Sequence, residues 1–124
     1  MPTCLSRATT LDLGGSCLAI AACAATLSAL VRGDYAEHAA KVGAYMEAKL
    51  AKLPHVTEVR GRGLMLGCDL DDAAGDAHGV VARALAAGAV INATGAHTLR
   101  FLPPLVCEEA DVDSLIEILS GVLG

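Results

Sequence analysis

Between Leu13 and Val31 the chain carries no charged side chain, and Arg7 precedes this stretch. A run of this kind has three outlets: it spans a membrane, it serves as a signal sequence, or it forms a helix that protein covers. Ile20-Ala21-Ala22-Cys23 also resembles a lipoprotein cleavage site, which would make Cys23 the acyl acceptor of an exported protein. Other features favour the covered helix. Gly14, Gly15 and Ser16 interrupt the run near its start, Asp12 stands where a signal would be apolar, alanine adds little membrane affinity, and Met1 is retained. The expectation is a buried helix from Cys17 to Val31 in a cytoplasmic protein without a membrane partner. Ser16 can cap its first turn and Gly33 can end it.

At 124 residues the chain suffices for one domain. With 54% hydrophobic and 19% charged residues it is too apolar for intrinsic disorder. Aromatics are only 2% and the net charge is −5, so neither base stacking nor attraction to phosphate backbones is available and nucleic acid is excluded as a partner. The five cysteines, Cys4, Cys17, Cys23, Cys68 and Cys107, are odd in number, form no C-x-x-C pair and lack clustered histidines. They read as reduced, mostly buried thiols, with no metal site. His38, His55, His78 and His97 are scattered and read as ordinary side chains.

Asp34 is placed to cap a second helix running to about Leu53, with Ala39, Gly43, Met46, Leu50 and Leu53 as its buried stripe. Lys41, Lys49 and Lys52 lie largely off that stripe, as a solvated face, and Pro54 stops the helix. Val56 to Arg60 alternates, Gly61-Arg62-Gly63 makes a bend and Leu64 to Leu70 is apolar, which together predict a β-hairpin. The same glycines could instead cradle an anion. Asp76 opens a third helix with Val81, Ala84 and Leu85 on one face, closed by Gly88. Strands are expected at Ala89–Asn92 and Thr98–Leu102. A final helix from about Glu109 to Leu123 buries Val112, Leu115, Ile116, Leu119 and Val122. Glu108, Glu109, Asp111 and Asp113 at its start suit the positive end of its dipole better than they suit a metal. This order predicts an α+β fold, a small antiparallel sheet with helices packed on one face.

No nucleophile with an orienting base emerges from these spacings, and no glycine phosphate fingerprint follows a strand. Arg100 stands out. Leu99 and Phe101 point to one side of their strand, so Arg100 points to the other. There its guanidinium either pairs with a surface acid or clamps a substrate carboxylate through two parallel hydrogen bonds.

Gly61-Arg62-Gly63-Leu64-Met65-Leu66-Gly67, Ala84-Leu85-Ala86-Ala87-Gly88 with Val90-Ile91-Asn92, and Leu99-Arg100-Phe101-Leu102-Pro103-Pro104-Leu105 resemble the C-terminal small domain of class III pyridoxal-phosphate aminotransferases. Gly14-Gly15-Ser16-Cys17-Leu18-Ala19 resembles the family's Gly-Gly-Asn-Pro-Leu-Ala segment, where the long interdomain helix starts. Within the class the likeness is to the acetylornithine type of arginine biosynthesis, and it runs from Gly14 to the C-terminus.

The resemblance implies a fold-type-I homodimer in which a large-domain lysine holds pyridoxal phosphate while an amino group moves from acetylornithine to 2-oxoglutarate. It places Arg100 on the substrate carboxylate. The family's threonine two residues before the Gly-Gly pair, which reaches the cofactor phosphate of the partner subunit, is replaced by Asp12, whose charge would repel that phosphate. The lysine segment belongs upstream of the glycines, where residues 1–13 contain no lysine. The expectation is therefore an atypical segment 1–13 joined to a small domain 14–124. It has no catalytic or cofactor-binding residue of its own, binds no cofactor alone, and is inactive as a fragment. It would self-associate through the Cys17–Val31 helix. A standalone carboxylate-binding or interaction module is the alternative.

Overall fold

A computed structural model describes residues 16–124, which fall into two units divided between Tyr35 and Ala36. In the first unit, α1 (Cys17–Arg32) starts as its sequence predicts: Ser16 is extended, and its hydroxyl accepts a hydrogen bond from the Ala19 N–H at 3.2 Å. That bond satisfies one of the donors a helix start leaves free. Gly33 closes the helix, donating its N–H to the Ala29 carbonyl.

Burial does not follow the sequence. No residue of α1 is buried, and Leu18 and Val31 are 81% and 80% exposed. Cys17 and Cys23 on this helix are exposed as well, which corrects the expectation of mostly buried thiols, whereas Cys68 and Cys107 are buried. An all-round apolar composition states that a helix needs cover, but a cover must come from other residues. Among the described residues no single helix is long and apolar enough to span a membrane.

The second unit is a four-stranded antiparallel sheet of β1 (Val56–Arg62), β2 (Met65–Leu70), β3 (Asn92–Ala93) and β4 (Thr98–Phe101) in the order β1–β2–β4–β3, with three helices on one face. The first of these, α2 (Tyr35–Leu50), buries Ala39, Gly43, Met46 and Leu50 at helical spacing, and Val42 completes the stripe. Leu53 is buried too, but in a turn beyond the helix, where its N–H bonds the Leu50 carbonyl. Asp34 is not an N-cap: its φ of 47° is left-handed, whereas capping needs extended backbone.

The hairpin joins β1 (Val56–Arg62) to β2 (Met65–Leu70) through Gly63 and Leu64, so the turn falls later than Gly61-Arg62-Gly63 suggests. Gly63, with φ of 55°, takes the first turn position, where a type II′ hairpin uses glycine. Gly43 lets α2 rest directly on this turn. A Cβ there would lie 2.1 Å from the Gly63 carbonyl oxygen.

In α3 (Ala77–Ala86), Asp76 occupies the N-cap position but its side chain makes no capping bond. The C-terminus is a Schellman arrangement: Gly88 has φ of 100°, and the Ala89 and Gly88 N–H groups bond the Ala84 and Leu85 carbonyls at 2.8 and 3.0 Å. The buried face is Ala77, Val80 and Ala84, while Leu85 is exposed, one residue further round the helix. The Ala89 N–H is committed to α3, and the next strand begins later than the sequence suggests. Only Asn92–Ala93 (β3) pairs with β4 (Thr98–Phe101), rather than Ala89–Asn92.

The last helix, α4 (Glu109–Leu123), buries Val112, Leu119 and Leu123 and half-buries Leu115, Ile116 and Val122. At its start the Glu108 N–H donates to Asp111 Oδ2 at 2.9 Å. Leu66, Cys68, Leu99 and Phe101 from the sheet meet Val42, Met46, Val80, Val112 and Leu119 from the helices in one core.

Candidate carboxylate-binding face

Side chains alternate along a strand, so the register decides which residues share the face opposite the three helices. Arg60 pairs with Gly67, Gly67 with Arg100, and Arg100 with Asn92, one row crossing all four strands. The flanking rows are Glu58, Asp69 and Thr98 on one side and Arg62 with Met65 on the other. Leu99 and Phe101 are 1% and 2% exposed and face the core, so Arg100 points outward as the alternation predicts.

This row forms an open depression of about 420 Å³, floored by Gly67 and bordered by Arg60, Arg62, Met65, Thr94 and Arg100. Its three cations differ. Arg60 is held by Asp69 through both terminal nitrogens, with Nη2 to Oδ1 at 3.0 Å, and the Thr98 hydroxyl donates to the same carboxylate at 2.6 Å. The Arg60 guanidinium, with Thr98 beside it, keeps Asp69 below the usual carboxylate range. Arg62 and Arg100 are exposed and have no ion-pair partner among the described residues. Asp69 thus neutralises one cation, and the other two carry charge that no described acid offsets. An arginine fixed on a strand presents its planar fork in a set direction, suited to a carboxylate.

Among the described residues, no lysine, histidine or cysteine lines this depression. Lys41 pairs with Glu109 at 3.4 Å and Lys49 with Asp113 at 3.1 Å, while the Tyr45 hydroxyl donates to Asp113 at 2.8 Å. Glu109 and Asp113 at the start of α4 therefore serve α2, while Glu108 and Asp111 cap α4 itself. Among the described residues no three metal-binding side chains converge. Burial pushes the Cys68 thiol up to about 11, which makes it a poor nucleophile at neutral pH. His55 Nδ1 sits 3.1 Å from Asp71 and His38 Nε2 sits 2.9 Å from the Cys107 carbonyl, so both are used locally.

Covalent attachment of pyridoxal phosphate needs a lysine, and the sequence has three. Lys41 and Lys49 lie on α2, which covers the opposite face of the sheet, and Lys52 is exposed in the turn after it. None lines the depression. The described residues do not fit the cofactor's attachment. Asp12, in the place of the family threonine, lies outside the described residues.

Sequence reasoning identified Arg100 and weighed Gly61-Arg62-Gly63 as an anion cradle, but missed Gly67 and the Arg60–Asp69–Thr98 network. The signal was present in the hairpin: once its turn is placed at Gly63-Leu64, Arg60 falls opposite Gly67 and the rest of the row follows.

A sequence profile of the class-III aminotransferases matches residues 2–123. The acetylornithine aminotransferase of Caldanaerobacter subterraneus subsp. tengcongensis is 39% identical over 114 residues, covering 89% of this chain and 28% of that protein. The ornithine aminotransferase of Bordetella pertussis is 39% identical, with 89% and 27% covered. Among solved structures, the ornithine delta-aminotransferase of Plasmodium falciparum superposes with a TM-score of 0.73 at 25% identity, over 86% of this chain and 29% of that one. The ornithine aminotransferase of Toxoplasma gondii, with PLP in partial occupancy at its active site, gives 0.67 at 27% identity, over 78% and 24%. The chain spans less than a third of the length of these relatives, whose family cofactor is pyridoxal phosphate. It belongs to the class-III aminotransferase family.

Proposed function

We propose that the chain is the C-terminal small domain of an acetylornithine- or ornithine-type aminotransferase of arginine biosynthesis, a cytoplasmic homodimeric enzyme, in which Arg100 anchors the carboxylate of the amino-acid and 2-oxo-acid substrates. The observation that supports this most is the position of Arg100: on a rigid strand, outward, beside a bare glycine, without an ion-pair partner among the described residues. Its guanidinium donates two charge-assisted hydrogen bonds to a carboxylate, and Asp69 keeps Arg60 from competing for it.

Amino transfer lies beyond this chain alone, since its lysines stand away from that face. Mixing the purified chain with acetylornithine, 2-oxoglutarate and pyridoxal phosphate is expected to yield no glutamate, and borohydride is expected to fix no cofactor to a lysine. Glutamate formation, or a reduced cofactor–lysine adduct, would overturn this reading. The alternative, a standalone binding module, is built on the same arginine and shares the prediction of carboxylate binding without transfer.

The proposal extends to self-association through α1, whose Leu18, Ile20, Leu27 and Val31 are exposed. Sedimentation at concentrations well above micromolar should show an oligomer that Leu18→Glu with Val31→Glu dissolves. A strictly monomeric wild-type chain contradicts it.

A further inference from the structure

Several glycines of the second unit are demanded by the fold, Gly88 at the end of α3 among them. A Cβ at Gly43 or Gly61 would come within 2.1 Å of a backbone oxygen, and Gly63 takes a left-handed turn conformation. Gly67 has no such reason. A Cβ built there meets only the Arg60 carbonyl oxygen at 3.7 Å and Arg60 Cγ at 3.9 Å, which is ordinary van der Waals contact, and its φ is not left-handed.

Glycine inside a strand weakens it, because it packs nothing and loses the most conformational freedom on folding. At this position its effect is on the surface. It leaves bare backbone between Arg60 and Arg100, a gap of two strand spacings at about 4.8 Å each. That gap is the floor of the depression.

We propose that Gly67 is the specificity-determining residue of the carboxylate site, an inference that rests on Arg100 as the anchor. With the carboxylate on Arg100, the ligand's carbon chain lies flat across Gly67 toward Arg62 and Met65. The site therefore takes small linear carboxylates of several carbons, and any side chain at position 67 occupies the space their chain needs. Acetate, which has almost no chain, does not need that space.

The test titrates succinate and acetate, by calorimetry and NMR, against the full chain and its Gly67→Ala, Gly67→Val and Arg100→Ala variants, with thermal melts of each. Both Gly67 variants should melt at or above the wild-type temperature. Gly67→Val should bind succinate about tenfold more weakly and acetate within about twofold of wild type, with Gly67→Ala between. Arg100→Ala should lose both ligands.

If Gly67→Val folds and binds succinate as well as the wild type, Gly67 does not set specificity and the anchor reading survives. Unfolding of both Gly67 variants would show that the fold needs the glycine, which also overturns the proposal. If the wild type binds neither ligand, or Arg100→Ala binds both undiminished, the anchor itself is wrong and the proposal falls with it.

Discussion

The two faces of the sheet are built from the same strands, one residue out of step, and they obey different rules. On the inner face Leu66, Cys68, Leu99 and Phe101 are each 2% exposed or less and interlock with three helices. Every atom there is fixed by its neighbours, since protein interiors are packed nearly as densely as organic crystals. On the outer face Arg60, Gly67, Arg100 and Asn92 cross the sheet on the side away from the three helices of the second unit. Folding constrains these positions little, so their chemistry reports on what the face meets. Leu99 and Phe101 belong to the fold, and Arg100 between them is the residue proposed to meet the ligand.

Substitutions along β4 test this division most sharply. Phe101→Ala should cost about 3–5 kcal/mol, the range for emptying a buried aromatic site, as read by urea unfolding. A loss under about 1 kcal/mol would mean the inner face is less tightly packed than it stands here. Gly43→Ala probes the helix–turn contact beneath the same core. Its methyl has only backbone to displace, so a destabilisation of about 3 kcal/mol is expected, with a shift in the Gly63 and Leu64 amide resonances.

A smaller effect is expected from the charge network at the edge of the outer face. The folded state holds Asp69 below its ordinary pKa, so the stabilisation it contributes is present above the unfolded value of about 3.9 and fades as pH falls through the lower folded one. Asp69→Asn should therefore be slightly less stable at neutral pH and show a shallower loss of unfolding midpoint in acid. Asp71 and Asp113, also depressed, should leave a residual slope. An unchanged acid profile in the variant would mean the Arg60 pair contributes nothing to folding. The smallest change belongs to Arg100→Ala, which should alter stability by no more than about 0.5 kcal/mol while binding is lost.

Much of this architecture is legible in the sequence because it depends on local periodicity. Ala39, Gly43, Met46 and Leu50 repeat at helical steps and are buried. Val112 and Leu119 do the same in the last helix, and the strict alternation around Arg100 determines its direction. What depends on contacts distant in the chain is not legible. Leu85 fits the apolar pattern of α3 but lies outside its buried face, because the small Ala77 and Ala84 bracket Val80 there instead. The site's row was hidden because register hangs on the turn: a one-residue slip exchanges the two faces of a strand. Placing the bend at Gly61-Arg62-Gly63 instead of Gly63-Leu64 was enough to obscure that Gly67 lies between two arginines.

The central claim is that Arg100, on a face without lysine, holds a carboxylate. The most direct measurement follows the side-chain Nε–H resonance of Arg100, assigned with the Arg100→Ala variant, while succinate is added to the wild-type chain. A shift that grows and saturates is expected, as one ligand occupies one site. A resonance that stays in place, or drifts without saturating as it would from ionic strength alone, contradicts it.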